Sequence, residues 1–173
     1  MGIDRAAQIG FGSLFFFMLL LILAGCGEEK KARLQIGDQA PDFIVNDMNG
    51  KTLHLASWKG KPIIIRFWNT ECKYCLADTP VFNQYFKKYK AKGLKVVYIN
   101  TGKESVDVVA DFVKNLKIPF PVVKEGGAEV AALFNVRVVP QTVIIDPEQT
   151  IIAAIPGGVR MVELKELAGK FLN

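Results

Sequence analysis

Residues 62-PIIIRFWNTECKYCLADTP-80 decide how this chain is read. Pro62 to Trp68 is a continuous β-branched and aromatic run, the pattern of a strand buried on both faces. Two cysteines two residues apart, Cys72 and Cys75, follow at once. From 72 to 91 the spacing is helical, with Leu76, Phe82, Phe86 and Tyr89 on one stripe and Pro80 expected to bend the helix. A cysteine pair at such a junction has three uses. A zinc site needs four ligands, and the other candidates here are His54 and Cys26, so zinc is short of ligands. A structural disulfide closing so small a loop constrains the unfolded chain very little. Redox exchange has physical support. The start of a helix offers unpaired N–H groups and the positive end of its dipole, which stabilise an anion. A Cys72 thiolate there has a lowered pKa and is the attacking species. Cys75, three residues on and on the same face, is placed to attack the mixed disulfide and release the partner.

The flanking sequence supplies the rest of an α/β domain. Downstream, 94-LKVVYIN-100 reads as a second buried strand, and Ser105 to Leu116 repeats Val106, Val109, Phe112, Val113 and Leu116 at helix intervals. After 118-IPFPVV-123 and a Gly126-Gly127 break, a short helix is expected at Ala128 to Phe134. The segment 138-VVPQTVIID-146 is a third strand and 150-TIIAAIP-156 a fourth, followed by a closing helix over roughly Met161 to Leu172. Upstream, Phe43 and Val45, then Leu53 and Leu55, flank Asn49-Gly50, the strongest short-range hairpin signal. The order predicts a sheet between helices, with parallel strands first and a hairpin last. The glycine pairs 126–127 and 157–158 read as turns, since neither matches a nucleotide motif.

The beginning of the chain has another character. Ile9 to Leu23 is uncharged and apolar for about fifteen residues, shorter than the roughly twenty of a spanning helix. Arg5 stands before it, partly offset by Asp4, and 23-LAGC-26 behind it. That ending looks like a bacterial lipobox, a resemblance that implies a signal peptide over 1–25 and lipidation of Cys26. A retained anchor, or a signal cut elsewhere, is the alternative. Residues 26–35 would then tether a domain over 36–173 to the membrane, outside the cytoplasm, where disulfides are permitted. The net charge of +5 comes with scattered lysines, so no nucleic-acid partner is inferred.

The run FWNTECKYC resembles the active-site segment of thioredoxin-like proteins, and 40-APDF-43 and 138-VVPQTVIID-146 look like the membrane-tethered TlpA/ResA branch of that family. The resemblance covers about residues 36 to 172. It implies a thioredoxin fold, a central mixed sheet flanked by helices, with an N-terminal β-hairpin extension. It implies a thiol–disulfide oxidoreductase in which Cys72 and Cys75 cycle between dithiol and disulfide, with no further cofactor and no metal. It also implies a cis Val139-Pro140 bond, the backbone beside which pairs with an incoming chain, and a proton-transfer role for the acidic residue at Asp78. The partners implied are client proteins bearing disulfides or thiols and a membrane thiol electron donor. Reduction of secreted proteins, including apocytochrome c before haem attachment, is the branch's common task.

Four charges around the pair bear on that resemblance. Arg66 stands where thioredoxins commonly carry a buried aspartate and the tethered branch often an asparagine, and Glu71 replaces the usual tryptophan. Lys73 lies between the cysteines and Asp78 one turn beyond Cys75. An unpaired guanidinium on a buried strand would be costly, so Asp78 or Glu71 is its expected partner. Lys73 favours the thiolate and a more oxidising pair, while Glu71 acts the other way. Trp68 is expected under the active-site loop and His54 at the surface. Two other functions fit less well. A peroxiredoxin-like peroxidase resembles P-x-x-x-T-x-x-C, but Asn69 holds the threonine position and residue 65 is not proline. A non-enzymatic tethered binding lipoprotein would leave the pair vestigial.

Overall fold

The computed structural model describes residues 34–172. The expected signal peptide 1–25, Cys26 and the tether as far as residue 33 lie outside the described residues. The hairpin comes first, as β1 (Ile44–Asn46) and β2 (Thr52–His54), and then the buried run as β3 (Ile63–Trp68). There follow α1 (Lys73–Tyr89), β4 (Lys95–Asn100), α2 (Val106–Asn115), β5 (Val122–Lys124), α3 (Glu129–Leu133), β6 (Gln141–Ile145), β7 (Ile151–Pro156) and α4 (Met161–Ala168). Among the described residues no helix is long and apolar enough to cross a membrane.

Every residue of β3 is buried because this strand is the middle of a five-stranded sheet in the order β5-β4-β3-β6-β7. β4 runs parallel to β3 and β5 parallel to β4, while β6 is antiparallel to β3 and β7 to β6. This is the expected mixed sheet, parallel strands first and hairpin last. Strand alternation divides the core in two. Ile64 and Trp68 join Phe82 and Tyr85 of α1, Val109 of α2 and Leu164 of α4. Ile63, Ile65 and Phe67 join Phe43, Leu53 and Leu55 of the N-terminal extension, together with Val130 and Phe134 around α3. The extension therefore covers the face of the sheet opposite α1.

Local chemistry explains the shorter elements. In the hairpin Val45 opposes Leu53, and Gly50 takes φ +77°, a left-handed geometry that suits glycine. Asp47 fixes the connection by accepting from the N–H groups of Asn49 and Lys51, both at 2.9 Å. Helix α3 has no side-chain cap at Ala128, and the buried Glu125 substitutes by accepting from Val130 N at 2.6 Å and Ala131 N at 3.4 Å.

Several expectations are corrected. Leu76 is exposed, because α1 turns Cys75, Asp78, Thr79, Phe82 and Tyr85 inward, and Phe86 and Tyr89 only flank that stripe. The expected helix over 72–91 is α1, with Pro80 inside it removing the N–H that would have bonded the Leu76 carbonyl. Val106 is exposed as the first residue after the N-cap Ser105. Leu55 leaves the strand for a 3-10 turn over Leu55–Trp58 while staying buried. The closing helix ends at Ala168, followed by a 3-10 turn over Gly169–Phe171. Strand β5 was not anticipated; its entry is Pro121, which has no N–H but accepts from Tyr98 N at 3.0 Å.

Phe134 meets Phe43 edge-on at 6.1 Å between ring centroids and Phe67 at 5.8 Å, joining the extension, the α3 region and β3. Phe134→Ala should therefore cost about 3–5 kcal/mol of stability, read as a lower urea midpoint at unchanged slope.

Candidate functional site

The strand register brings the site together. Gln141 at the start of β6 opposes Phe67 near the end of β3, and Pro156 at the end of β7 opposes Gln141. The loop carrying the cysteines, the Val139-Pro140 bond and Gly157-Gly158 therefore share one end of the sheet. The Val139-Pro140 bond is cis. Pro140 is buried, its carbonyl accepting from Gly157 N at 2.8 Å, while Val138 is exposed and Val139 half-buried.

Cys72 is the N-cap of α1 and Cys75 lies in its first turn. The two form a disulfide with Cα atoms 5.2 Å apart. The Cys75 backbone N–H donates to the Cys72 sulfur at 3.1 Å, and Leu76 N donates to the Cys72 carbonyl at 3.1 Å. An N-cap sulfur thus takes the role that an oxygen usually fills. The pair is asymmetric: Cys72 is half-buried, whereas Cys75 is only 1% exposed. Thr79 lies behind Cys75, its hydroxyl donating to the Cys75 carbonyl at 2.6 Å and meeting the Tyr98 hydroxyl at 3.4 Å.

The loop before Cys72 is held from β4. Glu104 accepts from Thr70 N at 2.7 Å and from the Asn100 side-chain amide at 2.8 Å, and Thr101 N donates to the Trp68 carbonyl at 2.9 Å. Glu104 was not singled out from the sequence; it lies 34 residues from Thr70, and no local pattern marks the contact. Trp68 is wholly buried, 4.4 Å from Phe112 and 5.9 Å from Tyr98 between ring centroids.

Of the two expected partners of Arg66, the structure brings Asp78 to it and leaves Glu71 exposed at the surface. Arg66 is fully buried and donates through Nη2 to Asp78 Oδ2, and through Nη1 to Thr142 Oγ1 at 2.6 Å and the Gly157 carbonyl at 3.0 Å. The Phe82 ring lies 5.1 Å from the guanidinium. Asp78 Oδ2 also accepts from Val159 N at 3.0 Å, whereas buried Oδ1 has no hydrogen-bond partner among the described residues. Burial pushes the Asp78 carboxyl above its ordinary value, outweighing the downward pull of Arg66 and of the Val159 N–H. Burial lowers Arg66 in turn, opposed by Asp78. Lys73 is exposed, and His54 is a surface residue paired with Asp42 at 2.7 Å. Among the described residues no three His, Cys, Asp or Glu side chains gather to hold a metal ion.

Comparison with known proteins agrees with this geometry. Residues 36–154 match the AhpC/TSA family. Thiol-disulfide oxidoreductase ResA of Bacillus cereus is 32% identical over 165 residues, covering 91% of this chain and 95% of the relative. The chain belongs to the ResA family of thiol-disulfide oxidoreductases. ResA of Bacillus subtilis is also 32% identical, over 127 residues covering 73% of this chain and 70% of that protein. A crystal structure of a thioredoxin-family thiol:disulfide interchange protein from Chlorobium tepidum superimposes with a TM-score of 0.72 at 25% identity, covering 80% of this chain and 99% of that one. The fold is the thioredoxin fold with an N-terminal hairpin, and the chain is a thiol–disulfide oxidoreductase with a Cys-x-x-Cys pair, as ResA homology requires.

The Glu104 contacts carry a pH signature. Burial raises the Glu104 carboxyl, but the Asn100 amide and the Thr70 N–H and hydroxyl outweigh it, and the folded pKa lies below the ordinary 4.5. Stability from this group is complete above pH 4.5 and is lost as pH falls through the lower folded value. Glu104→Gln, which keeps an acceptor oxygen without the charge, should lose less stability than the unmodified protein between about pH 5 and pH 3, measured by urea denaturation at each pH.

Proposed function

We propose that this oxidoreductase works outside the cytoplasm, tethered by a lipid on Cys26, as a reductase of disulfides in exported proteins. Cys72 is the nucleophile, Cys75 the resolver and Asp78 the acceptor of the Cys75 proton. The observation that carries the residue roles is the asymmetry of the pair: a half-buried sulfur receiving a helix N–H, and a buried one a turn behind. The Cys72 thiolate attacks one sulfur of the client disulfide, forming a mixed disulfide and releasing the other client sulfur as a thiolate. Cys75 gives its proton to Asp78 and attacks the Cys72 sulfur. The Cys72–Cys75 bond forms as the bond to the client breaks, and the client leaves with both electrons of the former dithiol.

Val139 and Pro140 are the client-binding segment in this reading. Their position at the sheet end that carries Cys72 supports it, as does the exposure of Val138 just before them and of Tyr74 between the cysteines. The anchor rests on 23-LAGC-26 behind an apolar core. The reducing direction, a membrane thiol donor and a c-type cytochrome client rest on the resemblance to the TlpA/ResA branch.

Cys75→Ser should accumulate covalent adducts between Cys72 and client proteins, seen as reductant-sensitive bands, and Cys72→Ser should form none. Asp78→Asn should leave the first attack working and slow resolution by about 10²-fold, read by rapid quenching of a single turnover. Resolution at an unchanged rate and pH dependence in Asp78→Asn would remove Asp78 from the mechanism.

A further inference from the structure

We propose that Arg66 is a positioning residue for the exchange reaction, its buried guanidinium holding Asp78 ionised beside Cys75 and so setting the pH above which the resolving sulfur can give up its proton. This rests on the reading of Asp78 as the acceptor of that proton.

Arg66 occupies the centre of the sheet, between Ile64 and Trp68 on one face of β3, where both neighbours are apolar and fully buried. An apolar residue of similar volume would serve packing there as well or better, because a buried ion pair seldom stabilises more than hydrophobic replacement does. The guanidinium is nevertheless fixed from three segments: Thr142 on β6, the Gly157 carbonyl after β7, and Asp78 on α1. Two of these contacts orient the cation, and the third directs it at one carboxylate oxygen.

The carboxylate is divided accordingly. Oδ2 is occupied by Arg66 and the Val159 N–H, leaving Oδ1 as the oxygen open to a proton. Asp78 is three residues after Cys75 on the same buried stripe, and side chains at that spacing are neighbours on a helix. The charged and titratable groups facing it are Arg66 from β3 and Tyr98 from β4, with Cys75 one turn earlier on the same buried stripe, while the loop before α4 presents the Val159 N–H. Burial pushes the Tyr98 phenol up, so it stays neutral in the working range. Arg66 is thus the cation opposing the burial that would protonate Asp78. With Arg66 removed, Asp78 takes up a proton at higher pH and ceases to act as a base where the native protein still functions.

The test reads the resolving step alone, in the full chain in detergent with Cys26→Ser so that only the pair reacts. Rapid mixing of the reduced protein with dithiobis(nitrobenzoate) releases one coloured thiolate as Cys72 attacks and a second as Cys75 expels the remaining half. The second phase has an acid limb where Asp78 ionises. In Arg66→Met that limb should move up by about one pH unit or more, about tenfold in rate at a pH on the limb, and Arg66→Lys should return it towards its native position. In an Asp78→Asn background, Arg66→Met should change the second phase by no more than about twofold, because the group it acts through is gone. A limb that stays put in folded Arg66→Met, or an equal slowing in both backgrounds, overturns the proposal. A second phase untouched by Asp78→Asn alone is a different failure, that of the reading beneath it. A readout without any change at residue 66 covers the case in which Arg66→Met does not fold: the Arg66 guanidinium nitrogen resonances should titrate with the midpoint of the limb. Resonances that ignore it overturn the proposal.

Discussion

The backbone N–H of Cys75 points at the Cys72 sulfur from 3.1 Å, and the chemistry of the molecule depends on that contact being available. A sulfur at the N-cap receives the free N–H groups and the positive end of α1, and both favour its ionised form. The geometry is imposed from outside the cysteines. β3 is fixed on both sides by β4 and β6, and its end delivers the loop to the helix start with Thr70 tied to Glu104. The N-terminal extension and the α3 region close the opposite face of the sheet and leave this end to the redox pair.

The second constraint is a charge in an apolar core. Arg66 needs an anion, two further acceptors and a ring around it, and it finds them on α1, β6 and the turn after β7. Those are the segments that must stay aligned if the two sulfurs are to keep their register with the cis proline. The same pairing puts a carboxylate one turn beyond Cys75. The two cysteines are unlike in their surroundings: Cys72 is half-buried at the helix start with an N–H directed at its sulfur, and Cys75 is enclosed.

Much of this was legible in the chain. β3 and β4 could be read because buried strands appear as unbroken apolar runs, and the hairpin because Asn49-Gly50 sits between alternating segments. The cysteine pair could be placed at a strand–helix junction, where the structure has it. Where the reading failed, tertiary contacts had decided. Periodicity chose Leu76 for the buried stripe of α1, but the disulfide and the Arg66 contact rotate the inward face to Cys75 and Asp78. Three-residue β5 carries too little pattern to be seen and exists through its pairing with β4. That Arg66 needed a carboxylate could be argued from burial alone, yet choosing Asp78 over Glu71 required the fold. Glu104, Thr142 and Glu125 gave no signal because their partners are distant in sequence or, for Glu125, belong to a helix whose own start lacks a cap.

The most direct test of the central claim is the pH dependence of alkylation at each sulfur in the reduced full chain, followed by mass spectrometry of the separate peptides. The account predicts that Cys72 reacts with a midpoint well below the free-thiol value of about 8.5 while Cys75 stays protected across that range. Equal rates at both cysteines, with a common midpoint near that of a free thiol, would contradict it.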